Sequence, residues 1–143
     1  MKGLIITNIK DKDKTPLDYY NNSNYKKFGI SSSTTKLLPM YQELLREVIG
    51  NDVNTTFIDR VLTEEETRTI QSIFSQKIDE NISQVEISDE KLPHRKLEWK
   101  NKVYDLNLSL TSPMNRRIWD FYTIVEICKE CLEENKPMYL SIE

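Results

Sequence analysis

Hydrophobic residues recur at helical spacing in three segments of the chain. The first segment covers about residues 36–49 and ends at a Gly-Asn pair, which is a common stop signal for helices. The second begins after Thr63, which has the spacing of a capping box with Glu66, and it ends near Asn81. Three glutamates fill its first turn, where the helix dipole favours negative charge. Both segments are therefore predicted to be amphipathic helices with one buried face.

The third segment is the most apolar of the three. Ser112 is predicted to cap a helix that starts at Pro113, a favoured first position, and runs to about Glu134. Apolar residues cover so much of its circumference that we expect it to lie at the centre of the fold. Residues 138–142 are predicted to form a closing strand. The order of strand, helix and strand suggests one right-handed parallel crossover.

Shorter runs favour strands. These runs are 2–9, 55–62 (a strand or an extended segment), 85–87, 97–99 and 104–110. The last run alternates apolar and polar residues most clearly, which predicts an antiparallel sheet with one buried face. A turn is expected at 100–102. The predicted fold class is α+β, with a mixed and mainly antiparallel sheet packed against about three helices and one C-terminal strand-helix-strand crossover.

Residues 10–35 are rich in Asp, Asn, Ser and Thr and are predicted to form a long polar loop in a single domain, 1–143. A loop of this length in a compact domain is unusual and is often functional or disordered. Its aromatic residues include Tyr19, Tyr20 and Tyr25. These side chains either attach the loop to the body of the domain or contact a partner.

The composition is that of one globular domain, with 143 residues, of which 38% are hydrophobic and 30% are charged. No apolar run approaches the ~18 residues that cross a bilayer, and the apolar run at the N-terminus is too short for a signal peptide. Two cysteines are too few for a disulfide framework. We therefore expect a cytoplasmic protein with reduced thiols and no membrane contact.

The net charge of −3 is unevenly distributed along the chain. Residues 1–36 carry a charge of +4, and the remaining residues carry −7. A body of that sign does not attract nucleic acid, and its few basic pairs are too sparse for a nucleic-acid footprint. It can attract a basic protein.

Candidate catalytic residues are few. Cys128 and Cys131 form a C-x-x-C motif near the C-terminus of a predicted helix and among glutamates. The helix C-terminus and the glutamates both raise a thiol pKa, so we expect these cysteines to be packing residues and not redox-active thiols. The single histidine, His94, can act as a general base, but no nucleophile motif accompanies it in sequence. A metal site needs about four ligands, and one histidine with one cysteine pair does not supply them. We predict no metal and no cofactor, and an enzyme is not the favoured class.

A small, acidic, Asn- and Lys-rich chain with an α+β pattern and no active-site motif resembles the immunity proteins of bacterial polymorphic toxin systems, in particular those of contact-dependent growth inhibition loci. The resemblance covers the whole chain in its general character and carries over no functional residue. It implies an inhibitor that binds one cognate toxin domain, often a basic nuclease, and covers its active site or substrate groove.

An inhibitor of this kind needs an acidic contact face. The candidate contact residues are Glu64, Glu65, Asp89, Glu90, Glu130, Glu133 and Glu134, with Tyr19, Tyr20 and Tyr25 as aromatic anchors. Two other classes stay open at this stage. One is a small enzyme whose site is assembled in space around His94 or Tyr104, and the other is a self-associating adaptor with an exposed apolar patch.

Overall fold

The structure, a computed structural model, describes residues 3–8, 27–31, 38–50, 58–85, 94–107 and 113–142. The elements within these ranges are the strands β1 (Gly3–Thr7), β2 (Lys27–Ser31), β3 (Ile58–Leu62), β4 (His94–Trp99), β5 (Lys102–Asn107) and β6 (Met138–Ile142) and the helices α1 (Leu38–Ile49), α2 (Glu64–Asn81) and α3 (Pro113–Glu133). The predicted α+β class is therefore confirmed. Among the described helices, none has the length and apolar character needed to cross a membrane.

The described strands form two separate sheets. Four strands pair in the order β2-β1-β6-β3, and β4 pairs with β5 in a hairpin. Every neighbouring pair is antiparallel. The parallel form of the C-terminal crossover is therefore wrong, because β5 and β6 belong to different sheets. Helix α3 connects them by packing its first half on the hairpin and its second half on the larger sheet.

The predicted loop over residues 10–35 contains a strand. Strand β2 lies inside that range and pairs with β1, so that Ile6 is opposite Phe28 and Leu4 is opposite Ile30. Only five residues long and at one edge of the sheet, β2 is defined by its distant partner more than by its own composition. The remaining residues of the predicted loop lie outside the described ranges.

The main core lies between the four-stranded sheet and the three helices. Alternate residues of β6 face the helices and are buried, as are Leu4 and Ile6 of β1. At its centre an aromatic trio joins the helices: Tyr41 of α1, Phe74 of α2 and Phe121 of α3. The ring centroids of Phe74 and Phe121 are 5.6 Å apart, and each lies 6.1 Å from that of Tyr41. One set of contacts therefore fixes all three helices against each other.

The hairpin packs on α3 through a second, smaller cluster. Leu97 and Leu106 are buried against Ile118, near the start of that helix. The turn follows the prediction at 100–102, since Lys100 and Asn101 both adopt positive φ, as a two-residue type I′ turn requires. Asp79 of α2 accepts hydrogen bonds from Trp99 Nε1 at 2.9 Å and from Lys100 Nζ at 2.7 Å, which ties the hairpin to the C-terminal end of α2. These two bonds lower the pKa of Asp79, the bond from Lys100 having the larger effect.

Helices α2 and α3 begin at the residues that the sequence predicted. The Thr63 hydroxyl accepts a hydrogen bond from the Glu66 backbone N–H at 3.1 Å, and the Glu66 carboxylate accepts one from the Thr63 N–H at 3.0 Å, which completes the predicted capping box. Helix α3 starts at Pro113 as predicted, and its proposed cap, Ser112, lies outside the described residues. Of the strand predicted at 85–87, only Val85 is described: it follows a short 3-10 helix over Ile82–Gln84 with an extended backbone and is not part of a strand. Residues 86–87 lie outside the described ranges.

Candidate partner-binding site

Helices α2 and α3 lie side by side with the start of α2 beside the end of α3. The pairing of Leu62 with Met138 brings the residues before α2 next to those after α3. A pocket at this junction is lined by Glu64 from one helix and by Cys131 and Leu132 from the other. Two acidic groups that are more than sixty residues apart in sequence therefore meet at one end of the molecule. We call this region the acidic end, and it comprises Glu64, Glu65, Glu66, Glu130, Glu133 and Glu134.

The two halves of the acidic end relate differently to their helices. The glutamates of α2 occupy its first turn, where the helix dipole stabilises negative charge. Glu130 and Glu133 lie in the last turn of α3, which holds no basic residue, and Glu134 follows directly. There the dipole disfavours negative charge by about 0.3–1 kcal/mol for each exposed carboxylate. The second half of the acidic end therefore has a charge placement that local helix stability does not explain.

Among the described residues, cationic partners are seen for three carboxylates of the acidic end, Glu64, Glu66 and Glu134. Glu64 pairs with Arg68 at 2.7 Å, and both side chains are more than 60% exposed. Glu134 pairs with Lys136 at 2.7 Å, and Glu66 pairs with Arg60 in a more buried setting. Exposed pairs of this kind contribute little to stability, about 0–1 kcal/mol, and exchange partners at small cost.

The other carboxylates remain available or are held by a neutral donor. Glu65 and Glu133 are exposed and form no ion pair within the described part of the chain. Glu130 is half-buried and accepts a hydrogen bond from Asn8 Nδ2 at 2.8 Å. Asn8 itself is buried, and its Oδ1 atom has no hydrogen-bond partner among the described residues. The acidic end thus presents two exposed carboxylates, Glu65 and Glu133, for which the described part of the chain supplies no cation.

The pocket at the acidic end has a volume of about 290 Å³. Its lining is part apolar and part charged, and consists of Leu62, Glu64, Thr67, Cys131, Leu132, Asn135, Lys136 and Pro137. Leu62, Thr67 and Cys131 are buried and form the floor, whereas Glu64 and Lys136 are exposed at the rim. Asn135 closes one side in a left-handed conformation with φ 53°, which asparagine tolerates well.

Both cysteines are buried and free, as the sequence suggested. Burial is the main cause that raises the pKa of Cys128 to about 12 and that of Cys131 to about 11, and Glu130 raises the latter further. The Sγ atom of Cys128 lies 3.6 Å from Met138 Sδ, and that of Cys131 lies 3.7 Å from the Pro137 carbonyl oxygen. These environments suppress the thiolate on which redox and metal chemistry depend.

Neither thiol is therefore expected to react with a disulfide reagent in the folded protein at about pH 8, because only the thiolate is the nucleophile. Addition of denaturant should expose two reactive thiols, measured by absorbance of the released aromatic thiolate. Rapid labelling of one thiol in the native protein would contradict this expectation and would reopen the redox interpretation.

A polar trio that sequence reasoning missed lies between α1 and α3. Arg117 and Asp120 form an ion pair at 2.9 Å, and the buried Tyr41 hydroxyl donates to Asp120 at 3.4 Å and accepts from Arg117 at 3.2 Å. Burial raises the pKa of Asp120 to about 6 although Arg117 acts in the opposite direction, and burial together with Asp120 raises the pKa of Tyr41. The trio gives a buried hydroxyl both a hydrogen-bond donor and an acceptor.

The sequence carried a usable signal for this trio. Arg117 and Asp120 are three positions apart, which places them on one face of a helix. Tyr41 lies within the apolar stripe of α1, where its hydroxyl needs a partner.

Five other sequence-predicted site residues lie outside the described residues: Asp89, Glu90, Tyr19, Tyr20 and Tyr25. The His94 backbone begins β4 opposite Asn107. Tyr104 is half-buried with the Lys102 ammonium 5.1 Å from its ring centroid. Within the described ranges, no group of three or more His, Cys, Asp or Glu side chains is arranged to hold a metal ion.

Comparison with known proteins identified no matching family model, no matching curated protein and no matching solved structure.

Proposed function

We propose that this chain is a cytoplasmic inhibitor that binds a basic protein through its acidic end, and that this protein is a cognate toxin domain of the nuclease type. The observation that supports the binding role is the group of glutamates at the end of α3. Charge that opposes the helix dipole costs stability, and residues that break a local rule in this way are commonly retained for function. The general character of the sequence supports the toxin class.

The acidic end suits a basic partner for electrostatic reasons. Exposed carboxylates such as Glu65 and Glu133 act at a distance on a cationic surface, so they accelerate encounter and disfavour acidic competitors. The exposed pairs of Glu64 with Arg68 and of Glu134 with Lys136 can open to accept cations from the partner. Four of the candidate contact residues therefore take part directly.

Inhibition would follow from competition for one surface. A nuclease holds its substrate mainly through cationic groups that neutralise phosphates. A protein that presents carboxylates at similar density binds those same groups and excludes the nucleic acid. The inhibitor then needs no catalytic residue of its own, because occupation of the groove is sufficient.

The test starts with a tagged form of the full chain expressed in its source cell. We expect capture of one stoichiometric partner with a basic domain, and we expect the purified chain to abolish the activity of that partner. Capture of no basic partner from cells that express the neighbouring genes, or an unchanged partner activity at saturation, would contradict the proposal.

Charge reversal then locates the contact. The double variant Glu65→Lys/Glu133→Lys should slow association with the partner by about tenfold or more at low salt, since electrostatic steering alone changes association rates by about 10–1,000-fold. The matched control is Glu80→Lys/Glu98→Lys, which changes the net charge equally at exposed positions beside the hairpin. Equal effects of the two double variants would show that net charge, and not the acidic end, governs binding.

A further inference from the structure

We infer that the pocket between the start of α2 and the end of α3 receives a single arginine or lysine side chain of the partner. The inference rests on the proposed function, and it adds the chemical group by which the acidic end would recognise its partner.

The size of the pocket suits one side chain. Pockets for drug-sized ligands and cofactors typically have volumes of about 300–1,000 Å³. The volume here is about 290 Å³, at the lower limit of that range. This space is ample for one long side chain.

The lining matches the two parts of a long basic side chain. Leu62, Cys131 and Leu132 provide an apolar surface for the methylene stem, and Pro137 extends it. Glu64 stands at the rim, where it can meet the charged head. Long cationic side chains bind in this way, with a buried stem and a head that stays near water.

The electrostatics of the pocket favour a cation. Within the described ranges, the cationic partner of Glu64 is Arg68, in an exposed pair that an incoming guanidinium can replace. Lys136 is the cation that lines the pocket, and its charge is balanced by Glu134 at 2.7 Å. Burial is the main cause of the raised pKa of Cys131 on the floor, and the nearby carboxylates of Glu130 and Glu134 raise it further, against the opposite effect of Lys136. Carboxylates thus outnumber the cation near the floor of the pocket.

An anion is the less suitable occupant, although a helix start lies at the rim. The first turn of α2 is filled by three glutamates, which repel a negative ligand. The Glu66 N–H group is already bound to the Thr63 hydroxyl, so one backbone donor of that turn is engaged. The dipole of α3 adds negative potential from its C-terminal end, on the opposite wall.

The test titrates the full-length protein, labelled with nitrogen-15, with arginine blocked at both ends as acetyl and amide. Blocked citrulline, which has nearly the same shape and no charge, is the matched ligand control, and blocked glutamate reports on an anion. We expect blocked arginine to shift the amide signals of residues 62–67 and 131–137 and blocked citrulline to shift them far less. Shifts elsewhere, or equal shifts with citrulline, would overturn the inference.

Two variants make the sign of the pocket charge explicit. Glu64→Gln should weaken binding of blocked arginine about two- to fivefold, the range expected for one exposed ion pair. Lys136→Gln should strengthen it, because it removes the cation that competes at the rim. Glu80→Gln, at the other end of α2, should have no effect. If Glu64→Gln strengthened binding of blocked arginine and Lys136→Gln weakened it, the pocket would be an anion site and the inference would be overturned.

The partner captured in the pull-down separates this inference from the proposed function. Suppose that Glu65→Lys/Glu133→Lys weakens binding of that partner, whereas Glu64→Gln and Lys136→Gln leave its affinity unchanged. The pocket is then not used, and only the inference about the pocket fails. If no basic partner is captured, the proposed function fails, and the assignment of the pocket to a partner side chain fails with it.

Discussion

Replacement of Phe74 by alanine is expected to lower the free energy of unfolding by about 3–5 kcal/mol, the range for a buried phenylalanine. Phe74 is fully buried and is the α2 member of the aromatic trio. Its removal leaves a cavity where α1, α2 and α3 meet, and the ring contacts with Tyr41 and Phe121 are lost together. The loss would be measured by urea denaturation followed by circular dichroism.

The control for this variant is Ser72→Ala, an exposed position two residues earlier in the same helix. It should change the free energy of unfolding by less than about 0.5 kcal/mol, as surface substitutions usually do. A loss below about 1 kcal/mol for Phe74→Ala would mean that the three helices do not depend on the trio for their packing.

Replacement of Asp120 by asparagine is expected to remove a pH dependence of stability. The folded-state pKa of Asp120 is raised to about 6 from an ordinary value of 3.8, mainly by burial. Folding therefore favours the protonated form, and the extra stability is present below about pH 4 and is lost as the pH rises through about 6. Each pKa unit corresponds to about 1.4 kcal/mol, so the loss amounts to at most about 3 kcal/mol.

Asparagine keeps the shape of the side chain and carries no charge, so the variant lacks this loss. The stability of the wild type relative to Asp120→Asn should fall between about pH 4 and about pH 7, and the comparison cancels the titration of the other carboxylates. Urea denaturation of both proteins across that range measures the difference. Direct titration of the Asp120 carboxyl carbon by NMR should give a midpoint near 6, and a midpoint near 4 would refute the assignment.

The elements that sequence reasoning predicted correctly are those with strong local signals. The capping box at Thr63 and Glu66 is formed by neighbouring residues, and it starts α2 where the sequence indicated. The start of α3 at Pro113 and the turn at Lys100 and Asn101 are equally local. Propensity and spacing act within a few residues, so one sequence is sufficient to detect them.

Elements that depend on distant partners were missed or misplaced. Strand β2 exists because β1 offers it a partner more than twenty residues away, and no local pattern reveals that pairing. The separation of β5 from β6 into two sheets follows from α3, which is apolar on several sides and can therefore pack on both. Strand order is a tertiary property, which local periodicity does not encode.

Five of the six residues of the acidic end were contact candidates in the sequence, all except Glu66, but the sequence did not show that they lie together. Runs of glutamate are visible in the sequence, whereas the side-by-side arrangement of α2 and α3 that joins Glu64 to Glu133 is not. The ion pairs that neutralise part of this charge are also invisible, because Arg60 and Lys136 lie outside the acidic runs. The pocket between the two helices could not be anticipated at all, since it is formed by the packing itself.

Because the hairpin is attached to Asp79 near the end of α2, and Glu64 begins that helix, the length of α2 sets the distance between the hairpin and the acidic end. Asp79 follows Glu64 by 15 residues, which at about 1.5 Å per residue separates them by roughly 22 Å along the helix axis. Val103, on the hairpin, is 64% exposed, and both native thiols are buried. A fluorophore on a single cysteine introduced by Val103→Cys would therefore sit away from the acidic end. Energy transfer between this fluorophore and a dye on the partner would then measure binding without blocking the contact surface.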